Sequence, residues 1–144
     1  MVDAVVLRPI AAITLALALS AAPGRAHPIP ARQDPDAKEL RNPVPGTPES
    51  LTAGSQSYTK MCALCHGATG NGDGKLAAAT AAYGVKPSNL TDNVWDHGST
   101  DGEIFVVIRD GIGPDFNMPG FKGRLSDTEI WTVVSYVRSL GPRK

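Results

Sequence analysis

Aromatic residues are scarce in this chain: Phe, Trp and Tyr make up 6 % of its 144 residues. Apolar residues reach 42 %, enough to fill the core of one domain. A core so poor in rings is thin, however, and small domains short of core add a metal, a disulfide or another staple. Charge of one sign is also missing. The formal net charge is zero, which speaks against nucleic-acid binding by charge, so electrostatic partner recognition must come from local patches. No internal repeat is present, and no segment alternates with the period of two that a half-buried strand requires. Gly74-Lys75 is followed by Leu76, so there is no phosphate-binding loop. Asn71 and Asp73 lack the later ligands of a calcium loop. The sequon Asn89-Leu90-Thr91 is too short a pattern to carry weight.

Long hydrophobic runs are absent too. The longest, Ile10 to Ala22, is 13 residues, too short to span a bilayer comfortably. Arg8 precedes it, and Gly24-Arg25-Ala26 supplies small residues at the −3 and −1 positions of a cleavage site. Residues 1–26 therefore read as a secretory signal peptide cut after Ala26, which places the mature protein in the periplasm. The alternative, an uncleaved anchor, is disfavoured by Pro9 and the short run; no cysteine lies near the cut to take a lipid. Cleavage leaves 12 basic against 13 acidic side chains.

What is plentiful is glycine and proline, 15 and 12 residues, and this predicts many loops. Residues 27–46 hold Pro28, Pro30, Pro35, Pro43 and Pro45 and read as an extended leader, mobile or wrapped on the surface. The domain proper is expected over residues 47–144. Thr47 as N-cap and Pro48 at the first helical position start a helix. Its face carries Leu51, Gly54, Tyr58 and Met61/Cys62, and it runs out near His66. Residues 67–74, Gly-Ala-Thr-Gly-Asn-Gly-Asp-Gly, form a loop. A short Ala-rich helix over Lys75–Ala82 is closed by Gly84. Thr100 and Glu103 make a capping box for a helix that Gly111 ends. Ser126 and Glu129 make another, with Leu125 and Ile130 as its hydrophobic staple. The last helix buries Ile130, Val133, Val134, Val137 and Leu140 in one stripe. The fold class is all-α: several short helices separated by loops long enough to wrap a cofactor.

The two cysteines carry the chemistry. Cys62-Ala63-Leu64-Cys65-His66 is the attachment signature of c-type haem. Thiols three positions apart on a helical turn reach the two vinyl groups of one haem, and the histidine that follows places its imidazole on the iron. Other readings are weaker. A thioredoxin-like redox pair expects a βαβ pattern. A zinc site needs a second Cys pair, and only His97 lies nearby. A disulfide across so few residues gains little loop entropy. For the second axial position the mature chain offers Met61, Met118, His27 and His97. Met61 adjoins Cys62 and is held too close. Met118 sits in Asn117-Met118-Pro119-Gly120, where proline stiffens the loop and glycine allows close approach. It is favoured over a core gap-filler role and over its rival His97. A His/Met pair raises the reduction potential relative to bis-histidine ligation. With both positions filled, no site is open for peroxide or oxygen, so the expected role is electron transfer and not catalysis.

With these features in place, residues 43–141 resemble a class I c-type cytochrome of the bacterial, exported, monohaem kind. Gly54 and Tyr58, eight and four positions before Cys62, match the family's first helix, and Tyr136 matches the aromatic of its last. The segments Gly72-Asp73-Gly74, Ser99 to Phe105 and Met118-Pro119-Gly120-Phe121 resemble the exported subgroup. The resemblance implies the cytochrome c fold around one covalently attached haem c, with Gly54 against the last helix. Cys62 and Cys65 would hold the haem, and His66 and Met118 would ligate the iron. Pro87 would offer its carbonyl to His66 Nδ1–H and so orient the imidazole. Trp95 and Arg109 are candidates for the haem propionates; Trp95 covering a haem edge and Arg109 as a solvated helix residue are the plainer alternatives. The resemblance further implies a monomeric one-electron carrier with no small-molecule substrate. Its redox partners would be a dehydrogenase, a quinol-oxidising complex, an oxidase or another cytochrome. The competing functions are a haem subunit of a larger periplasmic dehydrogenase, a haem enzyme or gas sensor with an open iron site, and a haem-free thiol–disulfide protein.

Overall fold

Three capped segments organise the computed structural model, which describes residues 34–113 and 118–141; the signal-peptide reading of residues 1–26 lies outside these. Thr47, in an extended conformation, accepts from Ser50 N–H and starts α1, Pro48–Met61. Thr100 and Glu103 close a reciprocal capping box at the start of α4, Asp101–Asp110. Ser126 and Glu129 do the same for α5, Asp127–Leu140. Each box satisfies donors that a helix start otherwise leaves open. Two shorter helices lie between, α2 over Ala63–His66 and α3 over Ala77–Ala81. The all-α architecture expected from the pattern is therefore present.

The main packing is between the first and last long helices. α1 crosses α5 at Gly54, where a Cβ would overlap the carbonyl oxygen of Thr132 and crowd Tyr136 Cβ. One turn on, the Tyr58 ring is fully buried and tilts against Tyr136, with centroids 5.2 Å apart. On the other side of α5, Trp131 stacks on Phe105 of α4 at 4.1 Å. Ile130, Val133 and Val134 are completely buried; each contributes about 1.5–3 kcal/mol of transfer free energy. The cluster of rings and branched side chains is small, in keeping with the thin core anticipated from composition.

Two features differ from the sequence pattern. Residues 34–46, expected as an extended leader mobile or wrapped on the surface, do lie on the domain but turn through a 3-10 helix over Ala37–Glu39. Ala37 is 2 % exposed and its carbonyl lies against Gly102, where a Cβ would overlap it. Asn42 Nδ2 donates to Ser135 Oγ at 2.9 Å and to the Trp131 carbonyl at 3.3 Å. The stretch between Pro35 and Pro43 carries no proline, so its backbone is free to turn. The second difference is a small antiparallel ladder: β1, Gly111–Ile112, pairs with β2, Met118–Pro119, in the register Gly111↔Pro119 and Ile112↔Met118. Two-residue strands are too short to leave a period of two in the sequence.

Gly54→Ala tests the crossing. Alanine gains about 1 kcal/mol in helix propensity over glycine, whereas forcing a methyl into the Thr132 carbonyl costs about 1–3 kcal/mol or more. A net loss of stability in urea denaturation is expected; a net gain would show that α1 and α5 stand further apart.

Candidate functional site

The site begins where α1 ends. Cys62 closes α1, its N–H donating to the Tyr58 carbonyl at 2.8 Å. Its own carbonyl accepts from Cys65 N–H and His66 N–H at 3.1 and 2.9 Å, winding the single turn of α2. That turn sets Cys62 and Cys65 three positions apart on one side. Both thiols are free and not joined to each other. Cys62 is buried, and burial first, with Cys65 beside it, pushes its thiol up to about 11. A thiol held protonated at neutral pH is a poor nucleophile, which weighs against the thioredoxin-like reading.

His66 follows on the same turn, half-buried. Its Nδ1 lies 3.0 Å from the Ser88 carbonyl oxygen. A carbonyl only accepts, so the hydrogen bond assigns the proton to Nδ1 and leaves Nε2 with a lone pair. Burial lowers the imidazole pKa, and the Ser88 carbonyl partly offsets this. The ring is thus neutral, oriented and open at Nε2, the state a metal ligand requires. The carbonyl that meets His66 belongs to Ser88 and not to Pro87, one residue earlier, as the family pattern implied. The Pro87 carbonyl points instead at Gly72, where a Cβ would sit 2.5 Å from its oxygen.

The glycine-rich loop clasps this turn. Gly72 N–H donates to the His66 carbonyl at 2.8 Å, Gly74 N–H to that of Cys65 at 3.1 Å, and Leu76 N–H to that of Leu64 at 3.0 Å. These bonds satisfy the carbonyls that so short a helix leaves open. Gly72 has φ +76°, a conformation side chains rarely adopt. Gly74 leaves no room for a Cβ against the carbonyls of Leu64 and Cys65. Leu90 N–H donates to the Gly70 carbonyl at 2.7 Å and holds the Ser88 segment beside the loop.

The other sequence-derived candidates fall on separate elements. Met118 lies in β2, half-buried, packed on the core and paired with Ile112. Met61 has its Sδ 3.8 Å from Arg124 Nη2. Trp95 is half-buried with the Arg138 guanidinium 5.1 Å over its ring. Arg109 pairs with Asp110 at 2.7 Å and with Asp34 at 3.8 Å, so its charge is already met by two carboxylates. His97 is half-buried beside Gly98, and His27 lies outside the described residues. The structure therefore gathers Cys62, Cys65, His66 and the Pro87–Ser88 turn into one unit. The roles of Ser88 and Gly72 escaped sequence reasoning, because both act through backbone atoms.

This donor set fits a covalently bound haem. It holds two unlinked thiols on one helical turn, an imidazole with Nε2 free, and a half-buried thioether on another element. Leu64, inside the motif, is 51 % exposed, so the turn borders the surface. Among the described residues, no helix is long and apolar enough to cross a membrane.

The chain has clear relatives. A family profile described as cytochrome c oxidase, cbb3-type, subunit III matches residues 49–137. The chain is similar to the cbb3-type cytochrome c oxidase subunit FixP of Azorhizobium caulinodans, 32 % identical over 104 residues, which are 72 % of this chain and 32 % of that protein. It spans about a third of the length of the curated relatives it matches. Among solved structures it is similar to a chain of the Kuenenia stuttgartiensis reducing HAO-like protein complex, with TM-score 0.60 and 28 % identity over 72 % of this chain and 50 % of that one. The KustC0563 c-type cytochrome aligns with TM-score 0.50 and 27 % identity, over 62 % of this chain and 98 % of that one.

Gly72→Ala tests the clasp. Its Cβ would strike the Pro87 carbonyl from a strained backbone, displacing the segment that carries Ser88. The expected cost is about 1–3 kcal/mol, read as a lower denaturation midpoint. An unchanged midpoint would mean that the loop gives way freely.

Proposed function

We propose a one-electron carrier: this chain belongs to the cbb3-type cytochrome c oxidase subunit III family, is a c-type cytochrome domain with the cytochrome c fold, and works through a single covalent haem c. In this reading Cys62 and Cys65 would hold the haem through thioether bonds, and His66 Nε2 and Met118 Sδ would ligate its iron. The observation that carries it is the His66 ring, held in the Nδ1–H tautomer by the Ser88 carbonyl, with Nε2 free beside two unlinked thiols. Bound there, the haem supplies an iron that passes between ferrous and ferric states.

The chain's residues then do the rest. The Ser88 carbonyl fixes the imidazole tautomer and raises its basicity. The ladder of Gly111–Ile112 with Met118–Pro119 holds the thioether on a braced segment, and soft sulfur favours the ferrous state. With both His66 and Met118 as ligands the iron would have no open coordination site, and the role would be transfer without catalysis. Delivery to the periplasm by residues 1–26 belongs to the same proposal. So does electron exchange with a dehydrogenase, a quinol-oxidising complex, an oxidase or another cytochrome.

A second reading is a haem subunit of a larger redox complex. It draws support from the curated relatives, which are named as oxidase subunits and are more than twice as long. The near-complete coverage of the KustC0563 c-type cytochrome supports a free-standing carrier. Size-exclusion chromatography of native extracts separates the two: a free carrier elutes as a small monomer, a subunit in a large complex.

The main reading is tested in protein from a host competent in c-type maturation. Haem should stay with the chain on a denaturing gel, and Cys62→Ala with Cys65→Ala should abolish this. The ferric spectrum should show a methionine–iron charge-transfer band that Met118→Ala removes, with a lower potential. Carbon monoxide should bind the reduced variant and leave the wild type unshifted. High-spin iron in the wild type would refute the His/Met pair.

A further inference from the structure

The Tyr58 ring fills the core between α1 and α5, and a phenylalanine would fill the same space without burying a hydroxyl. Burying a hydroxyl costs free energy unless it finds a partner. Here it has one: Tyr58 Oη donates to the Gly67 carbonyl at 2.8 Å, and the residue is fully buried. Gly67 directly follows His66. Its only other carbonyl partner among the described residues is a longer bond, 3.3 Å, from Gly70 N–H. Gly67 is itself pinned, with φ +83°, its N–H on the Ala63 carbonyl at 2.9 Å, and the Asp73 carboxylate occupying the space of a Cβ. The hydroxyl stays a donor at all working pH values, because burial, with smaller contributions from Cys62, Tyr136 and Asp73, raises its pKa far above the usual range.

We infer that Tyr58 is a positioning residue for His66: its buried hydroxyl, bonded to the Gly67 carbonyl, fixes the backbone from which the imidazole projects. His66 is then held from two sides. The Ser88 carbonyl sets the ring, and Tyr58 sets the peptide behind it. Because Tyr58 also packs on Tyr136, the α1–α5 contact is mechanically coupled to the imidazole. The inference rests on the proposed reading of His66 as the iron ligand and adds the residue that keeps it in place.

Tyr58→Phe in the full haem-loaded protein is the test, because it removes one oxygen and keeps the ring. Ser126→Ala, which takes the N-cap from α5 away from the motif, is the control for general destabilisation. The phenylalanine variant should keep its covalent haem, with shifted and broadened ferric electron paramagnetic resonance signals. Its potential should rise, since a misaligned imidazole donates less to ferric iron. Exchange of the Gly72 amide should quicken by about tenfold. The alanine control should lose stability with its signals and potential unchanged. A phenylalanine variant that loses stability as the control does, with wild-type signals and potential, would overturn the positioning role. Absence of a histidine–iron signature in the wild type would instead sink the reading of His66 itself.

Discussion

Gly54 has no side chain because the Thr132 carbonyl already occupies the place of one. The rest of the domain depends on that contact. With the two backbones that close, Tyr58 slides beneath Tyr136, and the C-terminal end of α1 is fixed relative to the core. Cys62 is the next residue after α1, so the motif turn starts from a rigid stub. A shift of α1 by a methyl radius would pass directly into the positions of both thiols and the imidazole.

Around that stub the polypeptide uses backbone atoms more than side chains. The carbonyls of Leu64, Cys65 and His66 are met by amides of Leu76, Gly74 and Gly72, and the imidazole is met by the Ser88 carbonyl. Such bonds tolerate many side-chain substitutions as long as the glycines keep the loop close.

Much of this was legible in the sequence. Caps are local, so Thr47, Thr100 and Ser126 marked the helix starts without tertiary knowledge. The five-residue motif named the turn that the glycine-rich loop and Ser88 enclose, and Gly54 named the crossing. The failures share a cause. Choosing between the Pro87 and Ser88 carbonyls depends on loop torsions, which residue type does not specify. The leader is expected either mobile or wrapped on the surface; the choice depends on Asn42 reaching Trp131 and Ser135, at the far end of the chain, and proline content says nothing of that. Arg109 looked available for an anion until Asp34 and Asp110 were seen beside it.

The α1–α5 contact also bears on the order in which the protein is made. Its two halves lie near opposite ends of the domain, so the pairing cannot form until the last helix is available. A chain that emerges amino end first presents Cys62, Cys65 and His66 well before α5 exists to brace them. During that interval the Cys62 thiol lacks the burial it has in the complete fold, and so it is more accessible than there. A group that must reach both thiols has its freest access before the last helix packs.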